Sequence, residues 1–141
     1  MSRIYWDTML FVYLIEGNAE FADRVQAIHQ RIEERNDTIC TSVFTVGEVL
    51  TGPLKRKAAD LADQIREALR NPRYEIELFT LETSERYAQI RAKHRVAPAD
   101  AIHLATAAQA GVDLFLTNDR RLSNLVIPGI DFIAGLDVNL F

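Results

Sequence analysis

Asp7, Glu48, Asp100 and Asp119 are the acids of this sequence whose positions, more than their number, suggest chemistry. Each falls where an apolar, strand-like run has just ended or a helical pattern has just begun. Asp7 ends "RIYWD", Glu48 lies in the first turns after "TICTSV", Asp100 follows Pro98, and Asp119 comes directly after "LFLTN". In an open parallel sheet such ends share one edge, where ligands bind beside the point at which strand order reverses. Carboxylates gathered there repel one another and need a cation to stay ionised at close range. A hard divalent ion such as Mg2+ takes oxygen ligands, keeps several waters, lowers the pKa of a bound water and orients a phosphate. The four acids thus point to metal-assisted hydrolysis of a phosphodiester by an activated water. Asp7 and Asp100 are the expected direct ligands, and Asp119 acts directly or through water. Each acid also has a purely structural role open to it. Glu48 could close a capping box with Thr45, Asp100 could favour its helix dipole, Asp119 could cap a helix beginning near Arg120, and Asp7 could start a helix.

The elements that would position these acids follow from periodicity. A strand over residues 3–7 leads into an apolar helix over 8–16, which Gly17-Asn18 ends. Phe21, Val25, Ile28 and Ile32 give residues 19–35 one apolar helical face, stopped by Asn36-Asp37. The β-branched run "TICTSV" predicts a second strand, and Thr45 to Leu50 predict a helix that breaks at Gly52-Pro53. Leu61, Ile65 and Leu69 predict a helix over about 57–70, ended by Asn71-Pro72. "YEIELFTL", alternating through Ile76 and Leu78, predicts a third strand, and residues 82–94 a helix. "VAPADAIHLATAAQAG" opens with proline and closes with glycine, the expected asymmetry of helix start and stop. "DLFLTN" and "IDFIA" complete the set as strands four and five. Strands alternating with helices imply an α/β domain with a largely parallel sheet, because parallel strands need helical crossovers.

Composition narrows the partners. A chain of 141 residues, 48% hydrophobic and 26% charged, fits one domain over residues 1–141 with a sizeable core. The formal net charge of -4 argues against nucleic-acid binding through global positive charge, so any such contact must be local. Arg120, and less directly Arg121, could hold a phosphate by charge-assisted hydrogen bonds. Cys40 is the only cysteine, expected as a small core residue, and leaves no intrachain disulfide to mark an oxidising compartment. "MLFVYLI" is too short to span a bilayer and lacks a cleavage pattern, so the expected location is cytoplasmic, away from membranes. His103 lies three residues after Asp100, which would suit a transition metal, but the apolar "AIHLATAA" around it favours a packed, hydrogen-bonded histidine.

The stretches "YWDT", "TSVFTVGEVLTG", "PADAIHLATAAQAGVDLFLTNDRRL" and "IDFI" together resemble the PIN-domain nucleases, and within them the VapC-like ribonuclease toxins of bacterial toxin-antitoxin pairs. The "ADAIHLATA" and "LTND" segments carry the most specific part of that likeness. The resemblance implies a three-layer α/β/α sandwich with a mostly parallel sheet of about five strands. It also implies Mg2+-dependent endonucleolytic cleavage of RNA, with Mn2+ as a substitute. By motif position, Asp7, Glu48, Asp100 and Asp119 would be the catalytic metal site, with Thr8, Ser42, Thr117 and Asn118 as polar groups beside it. A homodimer, neutralised by a cognate antitoxin whose C-terminal segment covers the acidic pocket, is the expected assembly. Met9 departs from the family, which usually carries a small polar residue there. The rival function is a non-catalytic PIN-fold module that binds RNA or protein. A phosphoacceptor receiver domain would need a lysine late in the chain, and none follows Lys93.

Overall fold

The computed structural model describes residues 1–137. Its elements run β1 (Arg3–Trp6), α1 (Thr8–Glu16), α2 (Ala22–Arg35), β2 (Thr38–Ser42), α3 (Val43–Lys55), α4 (Ala59–Ala68), β3 (Tyr74–Glu77), α5 (Leu81–Lys93), α6 (Pro98–Ala110), β4 (Leu114–Leu116) and β5 (Phe132–Ala134). The strands form one sheet in the order β3-β2-β1-β4-β5, and every neighbouring pair is parallel. The chain winds outward from β1 through β2 to β3, then crosses to β4 on the other side of β1. Strand order therefore reverses between β1 and β4.

Strand alternation sends successive side chains to opposite faces, and both faces of this sheet are covered. Ile4 and Trp6 of β1 pack with Ile39, Leu114 and Leu116 against Leu10 and Phe11 of α1, Val25, Ile28 and Ile32 of α2, and Val49 of α3. Tyr5, Cys40 and Phe115 face the other way, onto Ala101, Leu104, Ala105 and Ala108 of α6 and Ile90 of α5. Fully burying one Leu, Ile or Phe stabilises by about 1.5–3 kcal/mol, so these two layers supply the main folding force. Small side chains on α6 let its backbone lie close to the strands. Pro98 opens that helix and Gly111, at φ 68, ends it.

Three expectations shift. The helix after β2 runs through Gly52-Pro53 to Lys55 instead of breaking there. Pro53 denies an amide only to the Val49 carbonyl and its own ring is buried, so one lost bond near the helix end is tolerated. Lys57, at φ 56, is where the backbone turns away. The same helix starts at Val43, because Ser42 accepts the Phe44 N–H at 2.9 Å. The capping box of Thr45 with Glu48 does not form, and the Thr45 hydroxyl accepts from Thr41 at 2.8 Å. Finally, β3 ends at Glu77, since its partner β2 becomes helix after the Ser42–Glu77 pair. Leu78, expected to continue the alternation, is 68% exposed.

Two glycines make the packing testable. At Gly129, φ is 100° and an added Cβ would lie 2.6 Å from the Ala108 carbonyl oxygen. Gly47, inside α3, meets nothing within 4 Å. Gly129→Ala is expected to destabilise by about 2 kcal/mol or more, and Gly47→Ala to stabilise by about 0.5–1 kcal/mol. Urea unfolding of the two variants checks the pair; a Gly129→Ala protein as stable as the parent would contradict the close approach.

Candidate active site

Asp7 follows β1 directly. Its own N–H reaches the Leu116 carbonyl at 3.3 Å, which ties the ends of β1 and β4 together. The carboxylate caps α1 by accepting the Met9 N–H at 3.1 Å through Oδ1, and Oδ2 accepts the Thr117 hydroxyl at 2.5 Å. Burial pushes this carboxyl above the usual range, while the Thr117 hydrogen bond and the nearby His103 pull the other way. The Met9 side chain, at the usually polar family position, is 45% exposed.

Glu48 sits in the second turn of α3 and is held from two sides. The Thr8 hydroxyl donates to Oε1 at 2.5 Å, and His103 Nε2 lies 2.8 Å from the same oxygen. Burial raises this carboxyl, but the bonds from His103 and Thr8 outweigh it and leave it below its ordinary value.

Asp100 lies in the first turn of α6, half-buried. Burial raises its carboxyl first, the negative charge of Asp119 second, and Glu48 adds to both, while Arg121 and His103 oppose them. Asp119 behaves differently. Arg121 grips it with Nε on Oδ1 at 3.0 Å and NH2 on Oδ2 at 2.8 Å, and this hydrogen bonding holds the carboxyl below its usual value. No helix begins at Arg120; Asp119 caps a turn, accepting the Arg121 N–H at 3.0 Å.

The structure thus brings all four predicted acids to the strand ends of β1, β2 and β4, beside the reversal of strand order. The polar residues expected beside them divide. Thr8 and Thr117 bind the acids directly, and the Asp119 N–H donates to Thr117 at 3.0 Å. Ser42 is spent on capping α3, and Asn118 donates to the Tyr13 hydroxyl at 3.1 Å, bracing α1. Arg121 takes the acid that Arg120 might have taken, and the exposed Arg120 guanidinium has no hydrogen-bond or salt-bridge partner among the described residues.

His103, expected as a packed, hydrogen-bonded histidine, is also a residue of the site. It is packed, at 4% exposure, against Tyr5 and Phe44, yet its ring also meets Glu48, Thr8 and the Tyr5 hydroxyl. Its position three residues after Asp100, on the same helix face, was the available signal.

The donor set fits a hard cation: every acid offers carboxylate oxygen, and Asp7 and Asp100 are held in a state that positive charge would relieve. Among the described residues, the three metal-ligand side chains with atoms all within 4.8 Å are Cys40, Glu75 and Glu77, away from these acids. There Arg3 already pairs with Glu75 at 2.6 Å and Glu77 at 3.0 Å, and burial pushes the Cys40 thiol up to about 12. Among the described residues, no three of the four site acids are gathered that tightly.

The family model of the PIN domain matches residues 4–127, a span that includes all four acids. The chain belongs to the PIN-domain family. No curated protein matches it in sequence. Solved structures share the PIN fold at low identity. VapBC2 from Rickettsia felis, bound to a promoter DNA fragment, matches at TM-score 0.75 and 19% identity, over 94% of this chain and 98% of that one. A toxin-antitoxin complex from Klebsiella pneumoniae matches at 0.70 and 23%, over 90% and 94%. VapC20 from Mycobacterium tuberculosis, a sarcin-ricin loop cleaving toxin, matches at 0.67 and 17%, over 87% and 96%. At these identities the likeness is one of fold.

The raised carboxyls have a stability consequence in this PIN domain. A group whose folded pKa lies above its unfolded value costs stability as pH rises from the ordinary carboxylate range through the folded pKa. With EDTA present at neutral pH, Asp7→Asn and Asp100→Asn are expected to melt above the parent, and the advantage to vanish toward about pH 3.5. Thermal melts at the two pH values check this. A parent more stable than both variants at neutral pH would contradict it.

Proposed function

We propose that this PIN domain is a Mg2+-dependent endoribonuclease, with Mn2+ able to substitute, and that it is the toxin of a toxin-antitoxin pair. The observation that carries the reading is the convergence of Asp7, Glu48, Asp100 and Asp119, two of them raised by burial and Asp100 also by its acidic neighbours, at one edge of a parallel sheet. Asp7, Glu48 and Asp100 would hold the ion, with Asp119 joining directly or through water. When bound, the ion would neutralise the pocket, polarise the phosphate and activate water.

The chain's own residues prepare that task. Thr117 and the Met9 amide fix the Asp7 carboxylate, and Thr8 and His103 fix Glu48. Arg120, exposed and unpartnered among the described residues, is the side chain available to meet a phosphate flanking the cleaved bond. Met9 and Val43, 45% and 43% exposed, follow Thr8 and Ser42 at this same edge and offer apolar surface that an antitoxin segment could cover. The fold shared with VapC20 and with VapBC complexes supports the toxin role and a cognate antitoxin. A homodimer is the assembly proposed with them. A cytoplasmic location is part of the same reading; among the described residues no helix is long and apolar enough to cross a membrane.

Cleavage of an RNA pool in Mg2+ is expected to fall at least about 100-fold in Asp7→Asn and Asp100→Asn, the scale of losing a charge-stabilising group. EDTA should abolish it. Arg120→Ala is expected to raise KM about tenfold with kcat nearly unchanged, as for loss of uniform binding. Undiminished cleavage by both aspartate variants would overturn the assignment. RNA binding without cleavage and without carboxylate-dependent ion binding in calorimetry would instead establish a binding module.

A further inference from the structure

Tyr5 and His103 lie behind Glu48 in a continuous line of hydrogen bonds. His103 Nε2 is 2.8 Å from Glu48 Oε1, and His103 Nδ1 is 2.7 Å from the Tyr5 hydroxyl. Tyr5 is fully buried, stacked on Phe115 with centroids 5.0 Å apart and planes within 5°, and His103 is buried between Tyr5 and Phe44. The His103 ring is therefore shut off from solvent that could substitute for a partner.

The donor and acceptor roles along the line are constrained. An ionised Glu48 is acceptor-only, so a neutral His103 must carry its proton on Nε2. Nδ1 is then a bare lone pair and accepts a hydrogen bond from the Tyr5 hydroxyl. The opposite tautomer would set the Nε2 lone pair against the carboxylate oxygen at 2.8 Å. The tautomer that donates to Glu48 thus leaves Nδ1 as the acceptor for the Tyr5 hydroxyl, so the buried phenol supports the nitrogen that faces the acid.

We propose that Tyr5 and His103 are positioning residues for the divalent ion: Tyr5 supports the Nε2–H tautomer of His103 by donating to Nδ1, and His103 holds Glu48 in the orientation in which it binds the ion. The proposal rests on the metal-site reading of Glu48 given above. His103 directs Oε1 inward with Thr8 as the second donor, leaving Oε2 free of the hydrogen bonds described. Outer partners that orient a liganding group characteristically change metal affinity by about 10–100-fold when removed. The pair joins β1, α3 and α6, so Glu48 is referenced to the sheet core and to the helix that carries Asp100.

Mn2+ binding by calorimetry on the full chain, with melting curves alongside, tests the role. His103→Leu should weaken Mn2+ affinity about tenfold or more. His103→Gln, which can restore an N–H toward Glu48, should recover most of it. Tyr5→Phe keeps the stacked ring and should weaken affinity several-fold while the protein remains folded. Nitrogen NMR of the imidazole in metal-free parent protein should show a protonated Nε2 and a hydrogen-bonded, unprotonated Nδ1, and Tyr5→Phe should shift Nδ1 to the position of a nitrogen without a hydrogen bond while Nε2 stays protonated. A parent with its proton on Nδ1 overturns the proposal, as does a folded His103→Leu that binds Mn2+ like the parent. Mn2+ binding by the parent with unaltered affinity in every variant removes the positioning role and spares the metal site. A parent that binds no Mn2+ removes both.

Discussion

Like charges gathered in a half-buried pocket raise one another's energy, and the edge of this sheet gathers four. The repulsion is contained by donors built into the fold. Thr117 and a backbone amide serve Asp7, Thr8 and His103 serve Glu48, and Arg121 serves Asp119. Asp100 has the least such support, and its carboxyl is raised by burial and by its acidic neighbours. Much of the local architecture follows from this arrangement. Asp7 caps α1, so a charged group is held by the first amides of a helix, where anions are stabilised. Strand order reverses beside it, and the crossover to β4 brings Thr117 within reach.

The fold was largely legible because its signals are local and repeated. Proline and glycine at the ends of α6, the three- and four-residue apolar spacings in α2 and α4, and the β-branched second strand each specify their own element. Parallel pairing then follows from helical crossovers. Legibility faded where a neighbour decides the outcome. Nothing within "TGPLK" says that the helix survives Pro53, because the stop lies at Lys57 in the left-handed region. Nor does "YEIELFTL" reveal that β3 runs out of partner at Ser42.

At the site, the acids could be read because strand ends in a parallel sheet share an edge by topology. The roles of their neighbours could not. Ser42 and Asn118 are polar residues in the expected places, yet their side chains brace helices. Arg120 and Arg121 are chemically identical and adjacent, and only the turn geometry assigns Asp119 to Arg121. His103 was hidden by its surroundings: an apolar helix makes any histidine look like packing, and here the packing fixes the direction of its hydrogen bonds.

The Arg121–Asp119 pair has a consequence for how positive charge moves through this pocket. Asp119 meets a guanidinium whose side chain is 83% exposed, so its partner is anchored at one end and free to leave at the other. On the proposed reading, an ion that claimed Asp119 would displace Arg121 toward the surface, so uptake would be partly an exchange of counter-ions. The freed guanidinium would then join Arg120 in offering positive charge to a polyanion.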